Sequence, residues 1–162
     1  MKNSIICTTD EVRALLDGSK TEFHLPLKPQ PLDVLPMNVP GAWVTLDTRE
    51  PNHGSVITAP YKVGQIIKVR ETWAVIDVPV DNWLLIAYKA DYEKKRNQEQ
   101  IVVTGLSDDE WNKYSCANFD SKLRSAATMP LWASRLSLMV LDVQVSKFDL
   151  WKFVVKVEVC HG

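Results

Sequence analysis

Gln65-Ile66-Ile67-Lys68-Val69-Arg70-Glu71-Thr72-Trp73-Ala74-Val75 is the stretch that decides the fold class. Ile67, Val69, Glu71 and Trp73 alternate with Lys68, Arg70 and Thr72, the period of two that sends successive side chains to opposite faces of a strand. One face is apolar with an acid set into it; the other is basic. The alternation predicts one long strand over Ile66–Val75. A glutamate on an inward face is costly unless paired, so Glu71 calls for a cation, with Arg135, Arg70 and Lys20 as the candidates. It then serves either as a buried salt bridge that fixes the sheet or as an acceptor for the amino group of a base.

Outward from this stretch, further strands are predicted at Trp43–Leu46, Leu84–Tyr88, Leu136–Val145 and Phe153–Val159, the last with inward positions at Phe153, Val155, Val157 and Val159. Ser55–Thr58 reads as the return strand of a hairpin across a turn at Glu50–Gly54, and Ser4–Cys7 as a short opening strand. Thr8 and Glu11 stand at capping-box spacing. Val12, Leu15 and Leu16 line one helical face and Gly18 supplies a left-handed stop, which predicts a helix over Glu11–Asp17. Ser107 before three acids starts a second helix within Asp108–Tyr114. Residues 25–41 carry Pro26, Pro29, Pro31, Pro36 and Pro40, so neither a helix nor a central strand is expected there. An extended surface loop is predicted, either a functional segment or a cover over a sheet edge. Asp91–Gln100, with Lys94-Lys95-Arg96, reads as a solvated helix or loop. Many strands and few short helices predict a small mixed α+β domain on a curved or closed sheet.

The chain has 162 residues, which favours one domain over residues 1–162, and 46 % of them are hydrophobic, which excludes whole-chain disorder. Nineteen Lys and Arg against 20 Asp and Glu leave a net charge of −1, which is not the footprint of a bulk nucleic-acid binder. Cys7, Cys116 and Cys160 lack zinc or redox spacing, and His24, His53 and His161 form no ligand pair, so neither metal nor cofactor is expected. The apolar stretch in Met1–Cys7 is too short for a signal peptide, and no run reaches the ~18 apolar residues of a membrane helix. A cytoplasmic protein without membrane contact is the expectation.

Four segments, in order, resemble the ASCH domains of the PUA-like superfamily. Gly18-Ser19-Lys20-Thr21 is similar to their G-x-K-T element, and Val63–Val69 to their glycine turn and strand. Arg70-Glu71-Thr72-Trp73-Ala74 resembles the R-E-T-W-A signature of a phage and prophage branch. Met129-Pro130-Leu131-Trp132-Ala133-Ser134-Arg135 resembles its M-P-x-W-A-S-R segment. The resemblance spans about Ser4 to Val159. It implies a PUA-like mixed β-barrel flanked by short helices, in a protein of phage or prophage type acting in a bacterial host. Relatives of this kind include RNA- and nucleotide-binding modules and amidohydrolases acting on acylated cytidine.

In those amidohydrolases the chemistry falls to the lysine, a second threonine and a glutamate. Lys20 and Glu71 match two of these, and as an enzyme the chain would use them in acid/base roles. Phe23 occupies the second-threonine position, and a phenyl ring neither attacks as a nucleophile nor donates to an oxyanion. Phe23 therefore argues for binding without catalysis. The implied ligand site comprises Lys20, Thr21, Arg70, Glu71, Arg124, Trp132, Ser134 and Arg135. Its expected ligand is a nucleotide, a modified base or a short single strand. Arg135 either grips a phosphate or pairs with Glu71; Trp73 and Trp132 either stack on a base or pack in the core; His24 either replaces a lost arginine or sits on an exposed loop. The alternative to a small ligand is a host or phage protein, bound through the proline-rich loop and exposed tryptophans.

Overall fold

Thr8 sets the start of the first helix. In the computed structural model, which describes residues 2–47, 54–78, 83–92, 100–115 and 118–160, its hydroxyl accepts from the Glu11 N–H at 3.3 Å. The Glu11 carboxylate accepts in return from the Thr8 N–H at 2.9 Å, completing the box. Val12 and Leu15 turn inward, and the chain leaves the helix through Gly18 at φ +79°. In chain order the elements are β1 (Ser4–Ile6), α1 (Thr9–Leu16), β2 (Glu22–Pro26), β3 (Asp33–Pro36), β4 (Ala42–Leu46), β5 (Gly54–Thr58) and β6 (Ile66–Arg70). They continue with β7 (Trp73–Asp77), β8 (Leu84–Tyr88), α2 (Lys89–Tyr92), β9 (Ile101–Val103), α3 (Asp108–Asn112), β10 (Ser137–Phe148) and β11 (Leu150–Cys160).

Two compact units emerge. One comprises Met1–Asn3, Thr21–Ile67 and Leu138–Gly162; the other comprises Ser4–Lys20 and Lys68–Ser137. In the first, β11 pairs antiparallel with β2, setting Val155 opposite Phe23. The predicted alternation of β11 holds over most of its length: Phe153, Val155 and Val157 are buried and Lys156 and Glu158 face water, while Val159 is only half-buried. β3, β4 and β5 form an antiparallel meander, and Trp43 on β4 meets Phe153 edge-on at 5.6 Å. In the second unit, β1 runs parallel to the Lys68–Arg70 half of β6. There β7, β8 and β9 make an antiparallel sheet that buries Trp73, Val75, Leu84, Ile86 and Tyr88 with Leu106, Met129 and Ala133. Fully burying a side chain of this size contributes roughly 1.5–3 kcal/mol.

Several expectations need correction. The single strand over Ile66–Val75 is two strands. Its inward positions are buried as read, but the ladder stops at Glu71 and Thr72, where the Glu71 N–H points at the Met129 sulfur at 3.2 Å. Beyond the break β7 pairs with β8. The proline-rich segment is not all loop: β3 lies inside it and buries Val34. Pro26 and Pro36 close β2 and β3, both edge strands, where a missing N–H breaks no ladder. Among the described residues the strands form open sheets, not a closed barrel: each of the three sheets keeps two edge strands that do not pair with each other. The α+β, β-rich class stands. β9 had no counterpart in the sequence reading. Residues 93–99, with Lys94-Lys95-Arg96, and the turn at 50–53 lie outside the described residues, as do Cys116, His53 and His161. Among the described residues no helix is long and apolar enough to cross a membrane.

Candidate functional site

The second unit gathers most of the predicted site residues and divides their roles. Arg135, whose side chain is 2 % exposed, lies between two carboxylates. Its Nε donates to Glu71 Oε1 at 3.0 Å and Nη2 to Glu71 Oε2 at 3.2 Å. Nη1 and Nη2 donate to Asp91 at 2.7 and 3.1 Å. The guanidinium also stacks 4.2 Å from the centre of the Tyr88 ring, whose hydroxyl donates to the Ala133 carbonyl at 2.6 Å. Burial disfavours the charge of Arg135, but the hydrogen bonds it donates to Glu71 and Asp91 outweigh it and hold the arginine more firmly protonated than usual. Of the two alternatives read for Arg135, the geometry is that of the pair with Glu71. Asp91, expected on a solvated segment, is a buried third member.

The remaining predicted residues are also placed. Lys20 sits 3.3 Å from Glu11, closing onto α1. Thr21, in the first unit, is exposed, and its carbonyl accepts from the Val157 N–H at 2.9 Å. Phe23 is a buried core residue of β2. His24 lies on that strand, not on a loop, with Nε2 2.6 Å from Glu22 Oε1. Ser134 donates to the Val69 carbonyl at 2.7 Å. Arg70 donates through Nε to the Met129 carbonyl at 2.8 Å and through Nη2 to the Ala127 carbonyl, holding the short 3-10 turn Ala126–Thr128. Trp132 is half-buried and meets Trp73 and Tyr114 edge-on at 6.2 and 5.9 Å. None of the six tryptophans is exposed, against the expectation of exposed tryptophans for a protein partner.

A cleft remains beside these rings, lined by Trp73, Tyr114, Arg124, Ser125 and Thr128, with a volume of about 280 Å³. Paired main chains pin its wall: the Arg124 N–H donates to the Trp73 carbonyl at 2.7 Å, and the Trp73 N–H returns to the Arg124 carbonyl at 3.2 Å. The Arg124 guanidinium lies 5.3 Å from the Tyr114 ring centre and 5.8 Å from that of Trp73. Nη2 donates to the Asp120 carbonyl at 3.1 Å, yet Arg124 has no ion pair among the described residues. Among the described residues its Nε and the Trp73 Nε1 are both buried without a hydrogen-bond partner. Burial pushes the Tyr114 hydroxyl up, against the pull of the Arg124 charge.

Arg124 and Trp132 were thus read as site residues; Tyr114 and Asp91 were not. Asp91 follows the buried Tyr88 by three residues, a helical spacing that a turn after β8 makes meaningful. Tyr114 carries no local signal, because no helix or strand period links it to Arg124 across the irregular stretch between them. Among the described residues no group of three or more His, Cys, Asp or Glu side chains is placed to hold a metal. No family model matches the chain, nor does any curated protein or solved structure.

Proposed function

We propose that the chain is an ASCH-like, PUA-like protein of phage or prophage type that binds a nucleotide, a modified base or a short single strand without catalysis. The observation that carries this reading is Arg124: a guanidinium held on two aromatic rings at the wall of a cleft, with no carboxylate to neutralise it among the described residues. A fork of N–H donors on a rigid stem suits phosphate or a base edge. One unpaired cation and a cleft of about 280 Å³ fit a single nucleotide and not a duplex. Glu71 and Arg135, in their mutual pair, act here as a scaffold, tied through the Tyr88 ring to the Ala133 carbonyl. Phe23, packed in a core, supports binding over hydrolysis.

Titration with mononucleotides and short oligonucleotides at two salt concentrations tests the reading. Weak binding is expected, with log K for the short oligonucleotides falling against log salt at a slope of about −0.7 for one neutralised phosphate. Arg124→Gln weakens it, and Lys156→Ala, an exposed position on β11, leaves it unchanged. Absence of binding to any of these by the folded protein overturns the proposal in favour of a protein partner. Acetylcytidine is expected to remain unhydrolysed, and robust turnover would return Lys20 and Thr21 to the centre of the question.

A further inference from the structure

We infer that the Arg124 cleft is an oxyanion site and takes its ligand by the phosphate, not by the base. The inference rests on the binding reading of the same cleft and specifies which end of the ligand enters. Two side chains of the lining carry buried nitrogens without partners among the described residues, Arg124 Nε and Trp73 Nε1. Both are donors only and cannot satisfy each other. Both atoms are closed to solvent, so what the cleft offers a ligand is the charge of the Arg124 guanidinium and not these two hydrogen bonds. The charge of Arg124 selects among acceptors. With no counter-ion among the described residues, an anionic oxygen gains over a neutral carbonyl.

The rings argue in the same direction. Trp73 is fully buried, and its ring is attended by the guanidinium, so it offers no free face to a base. Its ring and that of Tyr114 instead hold the arginine in place, which spares the ligand the cost of ordering a flexible side chain. Arg70 does the same for the rim by fixing the Ala127 and Met129 carbonyls on either side of Thr128. The cleft, at about 280 Å³, lies below the ~300–1,000 Å³ of drug-sized sites. A phosphate with its sugar matches that scale, with the base directed outward.

The test compares cytidine 5′-monophosphate, cytidine and inorganic phosphate by calorimetry and by the tryptophan indole N–H resonances. The monophosphate is expected to bind about tenfold or more tightly than the nucleoside, since a charge-assisted hydrogen bond is lost with the phosphate. Inorganic phosphate competes with it, and both anions shift the Trp73 indole resonance. Arg124→Gln removes the difference between monophosphate and nucleoside, while Arg124→Lys keeps part of it; the dispersed spectrum of each variant reports that it is folded. Equal affinity for monophosphate and nucleoside overturns the phosphate inference and leaves the nucleotide reading standing. Inorganic phosphate that binds and shifts Trp73 while no nucleotide binds supports the oxyanion site and overturns the nucleotide reading. Absence of binding by all three probes overturns both.

Discussion

Arg135 lies where water does not reach, and removing it takes from Glu71 and Asp91 the cation that both carboxylates share. Breaking a buried ion pair from one side costs about 3–5 kcal/mol, because the partner charge stays buried without its counter-charge. Arg135→Ala is therefore expected to lower stability by about that amount in urea denaturation. Loss of less than about 1 kcal/mol would show that the carboxylates relax into water. Cys7 makes a second prediction at this scale. Burial, with the Glu11 charge adding to it, pushes its thiol up to about 12, so the thiolate is scarce at neutral pH. Mapping of alkylated peptides at pH 8 is expected to find Cys7 unmodified in the folded protein and modified after denaturation.

At the scale of the element, α1 depends on its cap. Thr8→Ala removes the acceptor for the Glu11 N–H and is expected to cost about 1 kcal/mol. Glu11 adds a pH dependence. Its burial alone would raise the carboxyl, but the Thr8 N–H and Lys20 outweigh it, and the net shift is downward. A carboxylate that is more acidic folded than unfolded contributes stability above its unfolded value of about 4.3, and that contribution is lost as pH falls through the lower folded value. Glu11→Gln is expected to flatten this part of the acid limb; an unchanged limb would remove Glu11 from the account. The capping box and the alternation of β11 were legible because both are local: a hydroxyl three residues from an acid, and a period of two. β3 and the break at Glu71–Thr72 were not, since each depends on what the backbone pairs with. Leu35 faces Val44 across a hairpin, and Glu71 turns to the sulfur of Met129.

At the scale of the whole molecule, neither unit is a contiguous piece of chain. The second draws on Ser4–Lys20 as well as Lys68–Ser137. Within it Ile5 pairs with Val69, and Arg13 Nε donates to the Ala90 carbonyl at 3.0 Å. A fragment of residues 68–137 is therefore expected to lack cooperative unfolding alone and to gain it when a peptide of residues 4–20 is added. Circular dichroism against temperature checks this, and a cooperative transition in the fragment alone would show that β1 and α1 are dispensable. Because each unit closes through distant segments, its interior joins side chains that no sequence window contains together.

The sequence by itself determined the α+β class, the capped helices, the inward face carrying Ile67, Val69, Glu71 and Trp73, and the need of Glu71 for a cation. Those follow from local periodicity, hydrogen-bond spacing and the cost of burying a charge. Only the tertiary structure decided which cation that is, that Asp91 joins it, and that Arg124 is left unpaired on Trp73 and Tyr114 among the described residues. Three arginines of identical chemistry, Arg70, Arg124 and Arg135, end on backbone carbonyls, on aromatic rings and between carboxylates. What separates them is the set of neighbours that folding brings, some from as far as 64 positions away, and that selection is made by packing, not by residue type.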